Sequence, residues 1–189
     1  MIDPREVVAV VLAAGQSRRF GPADKLMAKF HGKPLVTYAA QLTKRFPFRQ
    51  RLAIVQRRSE AATELIAQGL ELRDNPSPER GMGSSIAIAA RVAQDLNAAA
   101  CLILLGDMPN VSVAHVQRLL DAFAAPAFVV SSSAGQHRSP PTLFGHQHFA
   151  ELTRLTGDRG GIRLTNDAPT IVTDETVLAD VDLAVDLQE

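Results

Sequence analysis

The stretch LAAGQSRRFGPADK, residues 12–25, carries two glycines, two arginines and a lysine directly after the apolar run Val7–Val11. Backbone N–H groups that follow a strand can converge on phosphate oxygens, and Arg18, Arg19 and Lys25 can neutralise a polyphosphate. Gly15 permits close approach of the main chain. Neither common phosphate fingerprint is present. A dinucleotide loop needs G-x-G-x-x-G, whereas only Gly15 and Gly21 occur here. A Walker A loop sets its lysine beside the last glycine, whereas Pro22 follows Gly21 and the lysine waits until position 25. An ordinary strand-to-helix turn with solvated basic side chains would show the same residues.

Three later stretches could add chemistry. LLGDMP sets Asp107 just past the apolar run Cys101–Leu105. A carboxylate at the carboxyl edge of an open α/β sheet sits where ligands bind, and it suits Mg²⁺, which takes one or two carboxylates plus phosphate oxygens and water. Capping the turn Pro109–Val113 is its alternative task. In GMGSSI, two glycines and the hydroxyls of Ser84 and Ser85 open a helix, where free N–H groups can hold a phosphate or a base edge. Simple N-capping by Ser84 is the alternative. GDRGG, Gly157–Gly161, forms a second anion-friendly turn, where Arg138 and Arg159 can meet a phosphate on a second substrate. A glycine-rich loop with Asp158 as a cap would look alike. His146 and His148 suit a helix start better than a metal, and no Ser–His, Cys–His or close carboxylate pair stands out.

These residues need a scaffold. Short apolar runs at Val7–Ala13, Leu52–Gln56, Leu70–Arg73, Cys101–Leu105 and Phe128–Ser132 read as strands. Between them, Pro34–Arg45, Glu60–Gln68, Ser84–Leu96 and Val113–Phe123 read as helices. Pro34 suits a first helical position and Ser112 an N-cap. Ile86, Ala89, Ala90 and Ala93 make a small-residue face for packing on a sheet. The alternation predicts an α/β domain with a mainly parallel sheet and right-handed crossovers. Asn75–Gly83 and Ser133–Pro141 are expected to be the longest loops, followed by helices at His148–Leu155 and Gly160–Leu164 and strands near Thr170–Val172 and Val177–Val181.

Composition sets the remaining bounds. A chain of 189 residues fits one domain, 1–189, able to bury about 70% of its unfolded surface. The formal charge is +0, so no overall field draws nucleic acid or an anionic membrane, and any basic patch is local. The apolar runs are strand-length, short of the ~20 residues of a membrane helix. Residues 1–15 lack a signal-peptide pattern. The single cysteine, Cys101, is expected in the core, and a reducing cytoplasm fits it.

The pattern LAAG-x-S-x-R-x-G with Lys25, then NPSPERGMGSSI (Asn75–Ile86), LLGDMPNV (Leu104–Val111) and LTGDRGGIRL (Leu155–Leu164), resembles the MobA-like nucleotidyltransferases, and among them the molybdenum cofactor cytidylyltransferases. The ordered motifs span most of the chain. There are departures: Gly21 to Lys25 is one residue longer than the commonest form, Phe20 replaces a methionine, and Ser139-Pro140-Pro141 stands for G-H-P. The C-terminal D-x-D-T-P-E-D survives only as Asp180, Asp182 and Asp186.

The resemblance implies a single three-layer, Rossmann-like (GT-A-like) domain with a mixed sheet. It implies nucleotide contacts at Leu12, Ala13, Ala14 and Gly15, with further contacts at Asn75, Gly81 and Ser84. Arg19 and Lys25 would hold the triphosphate and its developing charge, acting with Asp107 as the catalytic groups. Asp107 and Asp182 would hold Mg²⁺. Arg138, Asp158, Arg159 and Gly160 would meet a molybdopterin-type acceptor. Ala14 gives LAAG, associated with the cytidylyl branch, where the guanylyl branch has LAGG. The chemistry is consistent: a phosphomonoester with a second pKa of about 6 is already mostly ionised at neutral pH, so its attack on an α-phosphate needs alignment and charge neutralisation rather than a strong base. The expectation is transfer of CMP from CTP to molybdopterin with release of pyrophosphate, a molybdoenzyme being a further partner. A guanylyltransferase, a cytidylyltransferase of a sugar or polyol phosphate, and a noncatalytic cofactor chaperone stay open beside it.

Overall fold

The computed structural model describes residues 1–15, 20, 24–57, 59–124, 129–135, 137–157 and 168–181. Strands β1 (Val7–Ala13), β4 (Gln50–Val55), β5 (Glu71–Asp74), β6 (Ala100–Leu105), β7 (Val129–Ala134), β8 (His137–Gly145) and β9 (Thr170–Val172) form one sheet, ordered β5-β4-β1-β6-β8-β7-β9. A separate two-stranded hairpin pairs β2 (Lys29–Phe30) with β3 (Lys33–Pro34). In the large sheet every neighbouring pair is parallel except those made by β8, which runs antiparallel to both β6 and β7. This is the mixed, mostly parallel sheet that the strand–helix alternation predicts.

Strand β1 is buried along its whole length because both faces are covered. Val7, Val11 and Ala13 join α1 (Leu35–Thr43), α2 (Glu60–Ala67) and α4 (Val113–Ala122) in one core. Val8, Val10 and Leu12 face α3 (Met82–Asp95) and α5 (Phe149–Leu152) in another. The period of two along the strand thus produces three layers. The small-residue face of α3 packs as its spacing predicts, with Ala89 and Ala93 fully buried. Ser112 caps α4, its Oγ accepting from His115 N at 3.1 Å. Cys101 is buried, and burial pushes its thiol up to about 12. Among the described residues, no helix is long and apolar enough to cross a membrane.

Several expectations need correction. Ser133–Pro141 is not a loop but most of the β7–β8 hairpin. Its prolines are accommodated because the register slips there: Ser131 pairs with Thr142 and Ser132 with Ser139, so Pro140 and Pro141 fall in a bulge that asks for no ladder N–H. Val177–Val181 is not a strand, since Glu175–Leu178 is a helical turn begun at Asp174, with an acidic residue favourable at its start. Pro34 sits at the N-cap of α1 rather than inside it, and α3 begins two residues before Ser84. Phe128 and the expected helix Gly160–Leu164 lie outside the described residues.

His115 in α4 is buried against the sheet. Ser132 Oγ donates to Pro141 O at 2.7 Å, so it can only accept from His115 Nε2, also at 2.7 Å. The ring is therefore protonated on Nε2, leaving Nδ1 buried and, among the described residues, without a partner. Burial, and secondarily the Arg118 charge, lowers the imidazole pKa from its ordinary value.

Candidate functional site

Parallel strands β5, β4, β1 and β6 all deliver their carboxyl ends to one sheet edge, and the candidate residues emerge there. Ala13 pairs with Val55, which sets Gln56 beside the turn that leaves β1. Gln56 Nε2 donates to both Ala14 O and Gly15 O at 3.0 Å. The side chains of Leu12, Ala13 and Ala14 are buried, so contact with a ligand must come from their main chain. Among the described residues, a Cβ on Gly15 would meet nothing within 4 Å.

Strand β6 leads into Gly106, whose N–H donates to Leu12 O at 3.0 Å and so extends the β1–β6 seam by one bond. Gly106 is packed tightly, since a Cβ would lie 3.2 Å from Leu12 O and 3.3 Å from Leu26 and Val36 methyls. That seam carries Asp107. Lys25 approaches from a 3-10 turn, Lys25–Met27, whose start is capped by Asp24 Oδ1 accepting from Leu26 N at 3.0 Å. Lys25 Nζ donates to Asp107 Oδ2 at 2.6 Å, and these side chains are only 12% and 19% exposed. Residues 82 positions apart in sequence thus form one cation–carboxylate unit at the edge.

The turn between β5 and α3 is braced from within. Asn75 is buried; its N–H donates to Val55 O at 2.8 Å, and its side-chain oxygen accepts from Ser77 N at 3.0 Å. Asn75 Nδ2 donates to Ser84 Oγ and Ser85 Oγ, each at 2.9 Å. Ser84 Oγ then donates to Gly81 O at 2.7 Å. Ser84 is therefore a strut between Asn75 and Gly81 rather than an N-cap, and the Ser84 and Ser85 hydroxyls, read from the sequence as able to hold a ligand, are engaged by Asn75. Gly81 itself takes the N-cap position with φ +80, a conformation that favours glycine.

Two late segments return to this edge. Val181 N donates to Asp107 O at 3.1 Å, and Asn110 Nδ2 donates to Thr176 O at 3.1 Å. Asp182, the residue after Val181, lies outside the described residues, as do Arg18 and Arg19. Arg138 extends from the start of β8, and its guanidinium donates to Ala168 O at 2.6 Å. Gly157 meets α3: its N–H donates to Arg80 O at 2.7 Å, and its carbonyl accepts from Gly83 N at 2.9 Å. Asp158, Arg159 and Gly160 are likewise outside the described residues.

Sequence reasoning overlooked Gln56, Gly83 and Val181. For Gln56 a signal existed, a polar residue directly after a buried strand that neighbours β1. Val181 acts through a backbone bond to a distant residue, which leaves no mark in residue type, and Gly83, although a glycine, does not reveal in the sequence which segment approaches it.

The family described as MobA-like NTP transferase domain matches residues 9–172. Purine catabolism protein PucB of Bacillus subtilis (strain 168) is 31% identical over 169 residues, covering 84% of this chain and 80% of that protein. The molybdenum cofactor guanylyltransferase of Aliivibrio fischeri (strain MJ11) is 28% identical over 182 residues, 92% of this chain and 88% of that one. Among solved structures, Rv0371c from Mycobacterium tuberculosis H37Rv superposes with a TM-score of 0.78 at 24% identity, covering 98% of this chain and 96% of that one. A nucleotidyl transferase from Methanothermobacter thermautotroptrophicus (Mth528) gives 0.79 at 16% identity, covering 95% and 93%. With a family match over most of its length and a mixed sheet that carries the candidate residues at one edge, the chain belongs to the MobA-like NTP transferase domain family and is a nucleotidyltransferase.

Proposed function

We propose that this enzyme transfers CMP from CTP to the phosphate of a molybdopterin-type acceptor and releases pyrophosphate. The observation that carries the reading is the contact of Lys25 Nζ with Asp107 Oδ2, 2.6 Å, at the carboxyl edge of the parallel strands. A cation and a carboxylate held together there serve an anionic substrate and its counter-ion, without a general base.

The residues present fit a divalent ion. Asp107 Oδ2 meets Lys25, and among the described residues Oδ1 takes no hydrogen bond. No cluster of three or more His, Cys, Asp or Glu gathers among those residues, and a lone carboxylate is what Mg²⁺ uses when phosphates and water complete its shell. Asp107 and Asp182 would hold Mg²⁺, which when bound supplies charge neutralisation at the triphosphate. Lys25 and Arg19 hold the triphosphate, and Gly15 and the main chain of Leu12–Ala14 border the nucleoside. Asn75, Gly81 and Ser84, at the turn into α3, contact the nucleotide as well. Arg138, Asp158, Arg159 and Gly160 receive the acceptor.

Ala14 supports the choice of cytosine, because LAAG resembles the cytidylyl branch; its buried methyl would act by setting the main chain that borders the base rather than by contact. A second reading, GTP as donor, is favoured by the names of relatives such as the Aliivibrio fischeri guanylyltransferase. The test is pyrophosphate release from purified protein with molybdenum cofactor, Mg²⁺, and CTP or GTP in parallel. A CTP-selective signal lost in Asp107→Ala is expected. Preference for GTP overturns the base, and silence with both nucleotides overturns the acceptor.

A further inference from the structure

Gly157, the residue before the segment that the proposed function assigns to the acceptor, touches the turn into α3 that it assigns to the nucleotide. Gly83 N donates to Gly157 O at 2.9 Å, and Gly157 N donates to Arg80 O at 2.7 Å. The approach is close enough to dictate residue type: a Cβ on Gly83 would lie 2.6 Å from Gly157 O and 3.1–3.2 Å from the Thr156 backbone. No flexible side chain stands in between to give way. Gly157 has φ +77, so both sides of the contact use glycine.

Each side is anchored separately. On one, the Pro78–Arg80 turn and Gly81 lead into α3, braced by Asn75, Ser84 and Ser85. On the other, Thr156 follows α5 and the turns that continue it, with Phe149 and Leu152 buried against α3. The clasp is therefore the point at which the braced β5–α3 turn reaches the chain immediately before Asp158.

We infer that Gly83 is a positioning residue for acceptor engagement: the paired bonds between Arg80, Gly83 and Gly157 fix Gly157, the residue before the acceptor segment, to the nucleotide-side turn, so a ligand that steadies that turn steadies Gly157 as well. This rests on the assignment of Asn75, Gly81 and Ser84 to the nucleotide and of residues 158–160 to the acceptor. A Cβ at Gly83 displaces the 156–157 segment, whose residues are exposed, rather than α3, whose inner face is buried.

The first experiment uses the wild-type enzyme with Mg²⁺ and CTP, and separately Mg²⁺ and GTP, without acceptor. Amide hydrogen exchange is followed over segments 75–85 and 155–157. The clasp predicts slowed exchange in both when the preferred nucleotide binds. Protection of 75–85 alone overturns the coupling while leaving the nucleotide assignment standing. Protection of neither, with binding verified by calorimetry, overturns the assignment itself.

The second uses Gly83→Ala. Its acceptor KM should rise roughly tenfold to hundredfold, the scale expected for an ångström-level misplacement, while nucleotide Kd measured without acceptor stays within about twofold. A folded Gly83→Ala enzyme with wild-type acceptor KM overturns the inference. So does an equal weakening of both substrates, the sign of a merely structural glycine. If the variant does not fold, the exchange experiment on wild type decides alone.

Discussion

Neutralising Asp107 tests the centre of the site. Asp107→Asn keeps the side-chain shape and removes the charge facing Lys25. At 2.6 Å, with an effective dielectric of about 20, the gross attraction is about 6 kcal/mol. Most of it is offset, because both groups are largely withdrawn from water, with side chains 12% and 19% exposed, and a net coupling of about 1–3 kcal/mol remains. Asp107→Asn and Lys25→Met should each lower stability, and the double variant should lose less than their sum by about that coupling. Activity should fall further, by at least about a hundredfold or ~2.7 kcal/mol in kcat/KM for Asp107→Asn, because the charge also serves the reacting phosphates. Urea denaturation measures the first quantity and pyrophosphate release the second. An Asp107→Asn enzyme that melts lower but keeps more than about a tenth of its kcat/KM would refute the reasoning, leaving the pair a structural ion pair.

Other outcomes follow from neighbouring geometry. Gly106→Ala presses a methyl against Leu12 O and two packed side chains, so it should cost about 1–3 kcal/mol and lower the melting temperature by roughly 2–12 °C by calorimetry. Gly81→Ala forces a side chain into φ +80, costing roughly 1–3 kcal/mol, and should raise nucleotide KM by releasing Ser84 from its acceptor. His115 is kept neutral by burial and Arg118, so between its lowered native pKa and the unfolded value near 6.5 only the unfolded chain binds the proton. Stability should therefore fall as pH drops below about 6.5 and level off below the native pKa, and His115→Asn should flatten this slope in pH-resolved denaturant titrations. Cys101, its thiol pushed to about 12, should resist Ellman's reagent at pH 8 until the protein is unfolded.

Much of the scaffold was readable because period and burial agree. Val7–Ala13 is apolar at every position and becomes the doubly covered strand β1; Ser112 caps the helix it precedes. The failures share a cause. Val177 and Leu178 are β-branched or apolar, but an acidic start and a docking surface on the core make them a helical turn. Pro140 and Pro141 discourage a strand locally, and only pairing with β7 through a slipped register overrides that. In the candidate site, Asp107 was legible as a carboxylate after a strand, but its partner was not, because the Lys25 contact depends on how a 3-10 turn folds back over the edge. The Gly83–Gly157 contact was still less visible, since glycine type reports freedom of φ and says nothing about what approaches.

The reversal of β8 is the feature that joins these elements into one site. Four parallel strands can bring only their carboxyl ends to the edge, and those ends supply the turns after Ala13, Val55, Asp74 and Leu105. Strand β8 is antiparallel, and its ladder with β6 stops at Thr142 opposite Ile103, so residues 137–141 run on toward the same edge. It thereby places a strand beginning, with Arg138, beside the strand endings that carry Asp107. The chain then travels down β8, crosses through α5 against α3, and climbs back to clasp Gly83 at Gly157. After β9 it reaches the edge again, where Val181 bonds to Asp107 O. A purely parallel sheet would need a further crossover helix to bring Arg138 there; one reversed strand does so directly.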